Sequence, residues 1–462
     1  MANPYLEIDR LMLGDIHTAM DQMDNLTVLC DDFGSRFGGT EGERSAARFF
    51  VDLFKAYGLK NVRREPYTYA SWTRGATTLE LVEPVKKEIP CIALPYCPSA
   101  TIEAEMVDVG DAAPADFEAM GRRGRGKLVM VTSRPPQGLG RNVHRSEKYA
   151  RSALGGAAGF IFMNHYDGRG PATGSIADNR EALIPGISVS KEWGSYLQRL
   201  QSRRGPIRLK LKTRNRTRPR KSWNVIGELP GNRLDGQWVM TGCHYDGHDI
   251  SQGAMDPISG MVAILESARV LSRYAKDRIG CGIRFIAFGT EEIGLIGAKE
   301  YVKAHQDELD EIRLLVNMDS AGGAGRKGLI VHRRPEVDAF FENAAKEMAY
   351  DMPYGQGMSA FSDHFPFFNA GVPTCGMGDA EATFTGRGFG HTAFDTMDKI
   401  NLADLREAAS VLSRLLLRVA CEEKWPAKRW SSRQVERVSK GDANLEIVKV
   451  EADLERLYRR RR

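Results

Sequence analysis

The 462-residue chain contains no run of about 18 apolar residues, so no segment reads as a membrane-spanning helix. Cysteine is sparse: Cys30, Cys91, Cys97, Cys243, Cys281, Cys375 and Cys421 are odd in number, widely spread and without a CxxC. That excludes a disulfide framework and suits a reducing compartment. Repeats at a period of roughly 20 to 50 residues are absent, as are low-complexity stretches, which excludes solenoids and arrays. The N-terminus, MANPYLEIDRLMLGD, has neither a basic n-region nor an apolar h-region. No signal peptide is expected there, and a cytoplasmic location is the default. The net charge is only +5, and the segment from Glu422 onward, with 12 Lys/Arg against 8 Asp/Glu, carries +4 of it. A nucleic-acid binder needs a larger basic excess on a recognisable module. Neither nucleic acid nor membrane is expected as a partner.

What is present is ordinary for a globular protein: 42% hydrophobic and 27% charged residues. The length predicts two or three domains. From about Trp223 to Ala420, apolar strand patterns (Gln237–Cys243, Ile283–Gly289, Ile312–Met318, Gly371–Gly376) alternate with periodic helices (Ile258–Tyr274, a helix from Gly294, Leu402–Ala420). This predicts an α/β fold whose mostly parallel central sheet is covered by helices on both faces. Another helix is expected over Glu41–Tyr57. Between Val85 and Arg218, short strands alternate with Gly- and Pro-rich turns, the texture of a smaller β-rich insert. The expected division is 1–84 and 219–421 for the main domain, 85–218 for the insert and 422–462 for a charged helical tail. The basic run Arg203–Lys221 reads as a solvated strand face. In the tail, Ile447, Val450, Leu454 and Leu457 form an amphipathic stripe that either packs on its own protein or offers a homo-oligomer seam.

Chemistry gathers where strands end. TGCHYD gives His244 and Asp246, the following loop gives Asp256, FGTEE gives Glu291 and Glu292, VNMDS gives Asp319, and GHTAFDTMDK gives His391 and Asp395. In open α/β sheets, groups from the carboxyl ends of strands converge. Two imidazoles and several carboxylates suit a cation such as zinc and exceed the needs of one four-coordinate ion. The surplus points to two metals sharing a carboxylate.

The motifs TGCHYDGHDISQGAMDPISG, FGTEEIGLIGAKEYV, NMDSAG, SDHFPF and HTAFDTMDKI, with the opening FGSRFGGTEGERSAARFFVDLFKAYGL, resemble the co-catalytic di-zinc exopeptidases. That family includes bacterial aminopeptidases, glutamate carboxypeptidase and the transferrin receptor. WTRG, LELVEP and SQGAMD look closest to the carboxypeptidase Q type, and GKLVMV, KYARSALGGAAGFIF and IPGISVS are similar to the family's protease-associated insert. The resemblance implies a phosphorylase/hydrolase-like sandwich and an exopeptidase acting on short unblocked peptides, as aminopeptidase or dipeptidase. A carboxypeptidase or a non-catalytic scaffold of the same fold is the alternative. It implies two zinc ions, one on His244 and Asp319, the other on Glu292 and His391, with Asp256 bridging. Glu291 takes the general-base place, and Asp246 the place of the carboxylate that orients His244. Two zincs about 3.5–4 Å apart bring a bridging water's pKa to about 7.

Some positions depart from the resemblance. Pro257 follows the bridging Asp256 where relatives have an acidic or amide residue, and a cis peptide bond is expected between them. Gly390 stands where many relatives place an oxyanion-donating Tyr. Asp395 is a further candidate partner to the metal ligands, and Arg387 is merely near His391 in sequence. His364 is expected to be structural or pocket-lining, and Cys243 to face away from His244 as a core thiol.

Overall fold

The computed structural model describes residues 3–234, 236–380 and 388–461. Two eight-stranded sheets organise the chain. The central sheet runs, edge to edge, Lys60–Thr73, Arg216–Leu229, Gly282–Phe288, Trp238–His244, Ile312–Asn317, Thr374–Asp379, Lys327–His332 and Tyr354–Gly357. Its middle pairings are parallel, and antiparallel pairings flank them. The parallel strands are continuous apolar runs because both faces are covered: every residue of Gly282–Phe288 and of Ile312–Asn317 is buried.

Alternation sorts their side chains between two layers. Phe285 and Ala287 join the core under the helices Glu41–Ala56, Ser259–Tyr274 and Leu402–Cys421. Ile286 and Phe288 face Tyr301 and Phe367 on the opposite layer. The helices start where capping chemistry allows. Thr40 accepts from the Glu43 amide at 3.3 Å while the Glu43 carboxylate accepts from Gly39 N at 2.6 Å, and Asn401 accepts from Ala403 N at 2.9 Å.

The second sheet is threaded between the two long antiparallel strands Lys60–Thr73 and Arg216–Leu229. Its first strand is Thr77–Glu83, ahead of the residue-85 boundary, because Leu79 and Leu81 bury against Leu209 and Leu211 in that sheet's own core. Along Arg208–Thr213, buried Leu209, Leu211 and Thr213 alternate with more accessible Arg208, Lys210 and Lys212.

The tail folds into Ser432–Lys440 and Glu446–Arg461. Its apolar stripe is spent on the same chain. Val450 and Leu454 join the core around Tyr149, Ala150 and Ala153 of the second unit, and Ile447 packs with Met358, Ala360 and Phe368 of the first. No helix among the described residues is long and apolar enough to cross a membrane.

Candidate metal centre

Three adjacent parallel strands deliver the first groups. His244 is the last residue of Trp238–His244, Glu291 and Glu292 follow Gly282–Phe288, and Asp319 follows Ile312–Asn317. Asp256 enters from a wide turn, Ala254–Ile258, that leads into the helix Ser259–Tyr274. Its peptide bond to Pro257 is cis, as the sequence led us to expect. His391, in the left-handed region at φ 61°, arrives from the loop after Thr374–Asp379. Arg387 lies outside the described residues.

The side chains fall into two groups joined by one carboxylate. His244 Nε2 is 2.9 Å from Asp319 Oδ1 and 4.0 Å from Glu291 Oε2. His391 Nε2 is 3.8 Å from Glu292 Oε2. Asp256 stands between them, with Oδ1 3.3 Å from His244 Nε2 and Oδ2 3.2 Å from His391 Nε2. A residue overlooked in the sequence completes the second group: His248 Nε2 is 2.7 Å from Glu292 Oε2 and 3.0 Å from His391 Nδ1. The available signal was the second histidine of HYDGH, four residues after His244 and so hidden behind the stronger HxD pattern.

Asp246 lies beyond the strand's end, and its two ends act separately. Its main-chain carbonyl accepts from His244 Nδ1 at 2.9 Å, whereas its carboxylate, 3.8 Å from that nitrogen, accepts from the amides of Glu291 and Glu292 at 2.9 and 3.3 Å. The imidazole is thus oriented by the backbone of Asp246, and the carboxylate fixes the Glu291–Glu292 turn. Asp395 likewise accepts from the amides of Met255 and Asp256, at 2.7 and 3.1 Å, holding the backbone of the bridging residue. Arg36, from FGSRFGG, is fully buried and donates to the carbonyls of Leu29, Tyr245, Gln252 and Gly253, so it ties the loop carrying Asp246 and His248 to the N-terminal segment.

Residues 224–416 match peptidase family M28. That span holds the strand ends, the bridging aspartate and both groups of candidate ligands. Over that span the chain is similar to peptidase family M28. It is 32% identical to aminopeptidase YwaD of Bacillus subtilis over 61% of this chain, and the match spans 61% of that relative's length. It is also 26% identical to carboxypeptidase Q of Xenopus laevis over 81% of this chain and 80% of the relative. Among solved structures, a peptidase M28 precursor from Shewanella amazonensis superposes with a TM-score of 0.77 at 21% identity, covering 92% of this chain and 98% of that one. A zinc aminopeptidase from Bacillus subtilis does so with 0.67 at 23%, covering 89% and 97%. These two likenesses establish the shared fold.

The electrostatics of this site call for cations. Burial pushes the carboxyls of Glu291 and Glu292 well up, and although His244 and His391 offset it, the neighbouring acids Asp319 and Asp256 add to the shift. Burial depresses His244, but the Glu291 charge and the nearby carboxylates of Asp246, Asp256 and Asp319 outweigh it and raise the imidazole well above its ordinary range. Without a metal the cluster must therefore hold protons to stay neutral. Donor geometry says the same. His244 Nδ1 is committed to a carbonyl, so the neutral ring turns a lone pair toward two carboxylates, and Asp256 Oδ1 has no hydrogen-bond partner among the described residues. Oxygen and imidazole donors of this kind fit zinc.

Other expectations meet the structure as follows. Cys243 sits in the main core with its thiol pushed well up by burial. His364 is buried, stacks on His332 at 3.9 Å between ring centroids and donates to Ser359 O at 2.9 Å. A Cβ at Gly390 would meet Asp256 Oδ2 at 3.7 Å, so position 390 does border the bridging carboxylate. Asp363, also unremarked in the sequence, is fully buried with both oxygens unpartnered among the described residues, and burial pushes its carboxyl well up.

A cavity of about 640 Å³ opens onto the centre. Asp256, Glu291, Glu292 and His391 form its floor, Arg145 reaches in from the second unit, and Val448 lines it from the C-terminal helix. Arg145 Nε donates to Ser175 O at 3.1 Å, and its guanidinium lies on Gly174, where a Cβ would stand 1.9 Å from Cζ. Among the described residues no carboxylate comes within ion-pairing distance of it.

Proposed function

We propose that this chain is a zinc-dependent metallo-exopeptidase that removes terminal residues from short unblocked peptides, as an aminopeptidase or dipeptidase. The observation that carries the reading is Asp256 lying within 3.3 Å of both His244 and His391, between two groups of ligand-bearing side chains on the floor of a cavity. His244 and Asp319 would hold one zinc, Glu292 and His391 the other, and Asp256 both. When bound, the ions supply Lewis acidity, which promotes ionisation of water and stabilises charge on the scissile carbonyl oxygen.

Glu291 is the group for proton transfer. Its carboxyl, borne on an amide fixed by Asp246, stands farther from His244 than Asp319 does, which leaves it free to take a proton from the attacking water and return it to the departing amine. Arg145 favours a second reading within the same class. A cation in the cavity without an acidic partner is suited to a substrate carboxylate, which would make the enzyme a dipeptidase or carboxypeptidase. The second unit, similar in sequence to a protease-associated domain, bounds the cavity and limits entry to short chains.

Mass spectrometry of products from a free tripeptide of three different residues tests this, with zinc-loaded wild type beside Glu291→Gln. Wild type is expected to release a terminal residue, the N-terminal one for an aminopeptidase and the C-terminal one for a carboxypeptidase. Glu291→Gln should lower kcat by roughly 10²–10⁴-fold. Intact tripeptide and dipeptide in the presence of zinc-loaded wild type would overturn the reading.

A further inference from the structure

We infer that His248 is an additional metal ligand, so that the two sites of the centre are chemically unequal. The inference rests on the metal-centre reading above and goes beyond the ligands that the resemblance supplies. His248 is 2% exposed, and its Nε2 faces Glu292 Oε2 at 2.7 Å and His391 Nδ1 at 3.0 Å. His391 Nδ1 also lies 3.3 Å from Thr173 O, so His248 Nε2 either donates a hydrogen to Glu292 or offers its lone pair to a cation that Glu292 shares. The His248 Nδ1 is buried without a partner among the described residues, so no competing bond there fixes the ring elsewhere. A cation held by His248 Nε2, Glu292 Oε2 and His391 Nε2, the nitrogen that faces Asp256, would replace the contact between His248 and Glu292 with two metal bonds.

The consequence is a division of labour in metal choice. The His248 side offers two imidazoles and one carboxylate besides Asp256. The His244 side offers one imidazole with Asp319, and Glu291 nearby. Imidazole-rich sets suit zinc, copper and nickel, whereas carboxylate-rich sets accept manganese or magnesium more readily. The His248 side should therefore fill first with zinc and retain it longest, and manganese should exchange at the His244 side.

Zinc titration of the metal-free full chain by isothermal calorimetry tests this, with wild type beside His248→Gln and His248→Ala. Wild type should bind in two steps of unequal affinity. Both variants should weaken the tighter step by roughly 10²-fold or more and leave the weaker one within a few-fold. Visible absorption of the cobalt-loaded proteins provides the second measurement. Loss of an imidazole should change the band of the tight site in both variants, an effect that a merely supporting residue would not produce with Gln. Two steps unchanged in the variants would overturn the His248 assignment while leaving the metal centre standing. A wild type that binds no zinc would overturn both.

A separate observation concerns the tail. We propose that the C-terminal helix Glu446–Arg461 sets the length of peptide that reaches the centre, an inference that also rests on the exopeptidase reading. The helix spans both units: Ile447 packs on one, Val450 and Leu454 on the other. Arg180 pairs with Glu455 and lies 3.7 Å over the Tyr458 ring, and Tyr458 donates to Glu181 O at 3.1 Å. Held there, it turns Val448, Glu451 and Leu454 toward the cavity that contains Glu291 and His391. A volume of about 640 Å³ lies within the usual range of small-molecule sites and accommodates a peptide of few residues.

Relative kcat/KM for a dipeptide and a pentapeptide reads the effect. Val450→Asp should unseat the helix and raise the pentapeptide-to-dipeptide ratio about tenfold, whereas Val448→Trp, which fills space, should lower it by a similar factor. A ratio unmoved by both variants, with dipeptide turnover and zinc content intact, would overturn the ruler and spare the exopeptidase reading. Absence of turnover in wild type would remove both.

Discussion

Single side chains decide how firmly the centre is built. Among the described residues Arg36 has no acidic partner within ion-pairing distance; its hydrogen bonds go to main-chain carbonyls around the loop that carries Asp246 and His248. Replacing it with Met leaves those buried acceptors unpaired, at about 1–3 kcal/mol each. Arg36→Met should therefore lower the unfolding midpoint in urea and weaken zinc binding together, measured by denaturation and by metal content. A stable variant with unaltered zinc affinity would remove Arg36 from this role. Gly260 works by absence. A Cβ there would stand 2.2 Å from Met318 O, immediately before Asp319. Gly260→Ala should cost about 1–3 kcal/mol through the forced separation of helix and strand. Its urea midpoint should drop while Gly14→Ala, with open space around it, stays near wild type. At this scale the candidate ligands were legible because each sits at a strand end in a short motif. His248 was not, because nothing in HYDGH distinguishes a second ligand from a loop histidine until the loop's path is known. The carboxylate of Asp246 was misdirected for a similar reason: strand alternation applied to HxD assumes that the strand continues, and it stops at His244.

Elements place these residues, and most were readable from periodicity. The strands Gly282–Phe288 and Ile312–Asn317 and the helices Ser259–Tyr274 and Leu402–Cys421 lie within a residue or two of where apolar runs and caps predicted them. The strand Lys327–His332 and the edge strand Tyr354–Gly357 beside it were missed, because pairing with neighbours rather than a long apolar run defines them. The start of the second sheet at Thr77 was likewise hidden, since Leu79 and Leu81 alternate just as a strand of the main sheet would. One contact between elements has a definite pH signature. His305, after the helix Ile296–Ala304, donates to Glu65 of the edge strand at 2.8 Å, and that bond, opposed by burial, raises its pKa. A histidine raised in the folded state contributes stability that is fully present below its unfolded pKa of about 6.5 and is lost as pH rises through the folded value. His305→Gln should therefore cost roughly 1 kcal/mol at pH 5 and less at pH 9, read from urea midpoints. A cost that grows with pH would contradict the assignment.

At the scale of the whole molecule, both sheet-bearing units and the tail helix border a cavity with the candidate centre at its floor. In the sequence, a main domain, an insert and an amphipathic tail were expected from separate textures. The sequence did not show that the tail's stripe would be divided between the cores of both units, because such docking depends on surfaces that only the folded insert presents. Four carboxylates and three imidazoles crowded into one buried place are held together at a cost unless cations enter. Anomalous diffraction at the zinc edge from zinc-loaded crystals of wild type tests this most directly. The account predicts two zinc peaks flanking the Asp256 carboxylate, one beside His244 and Asp319, the other beside Glu292, His391 and His248. A single peak, or zinc bound away from Asp256, would contradict it.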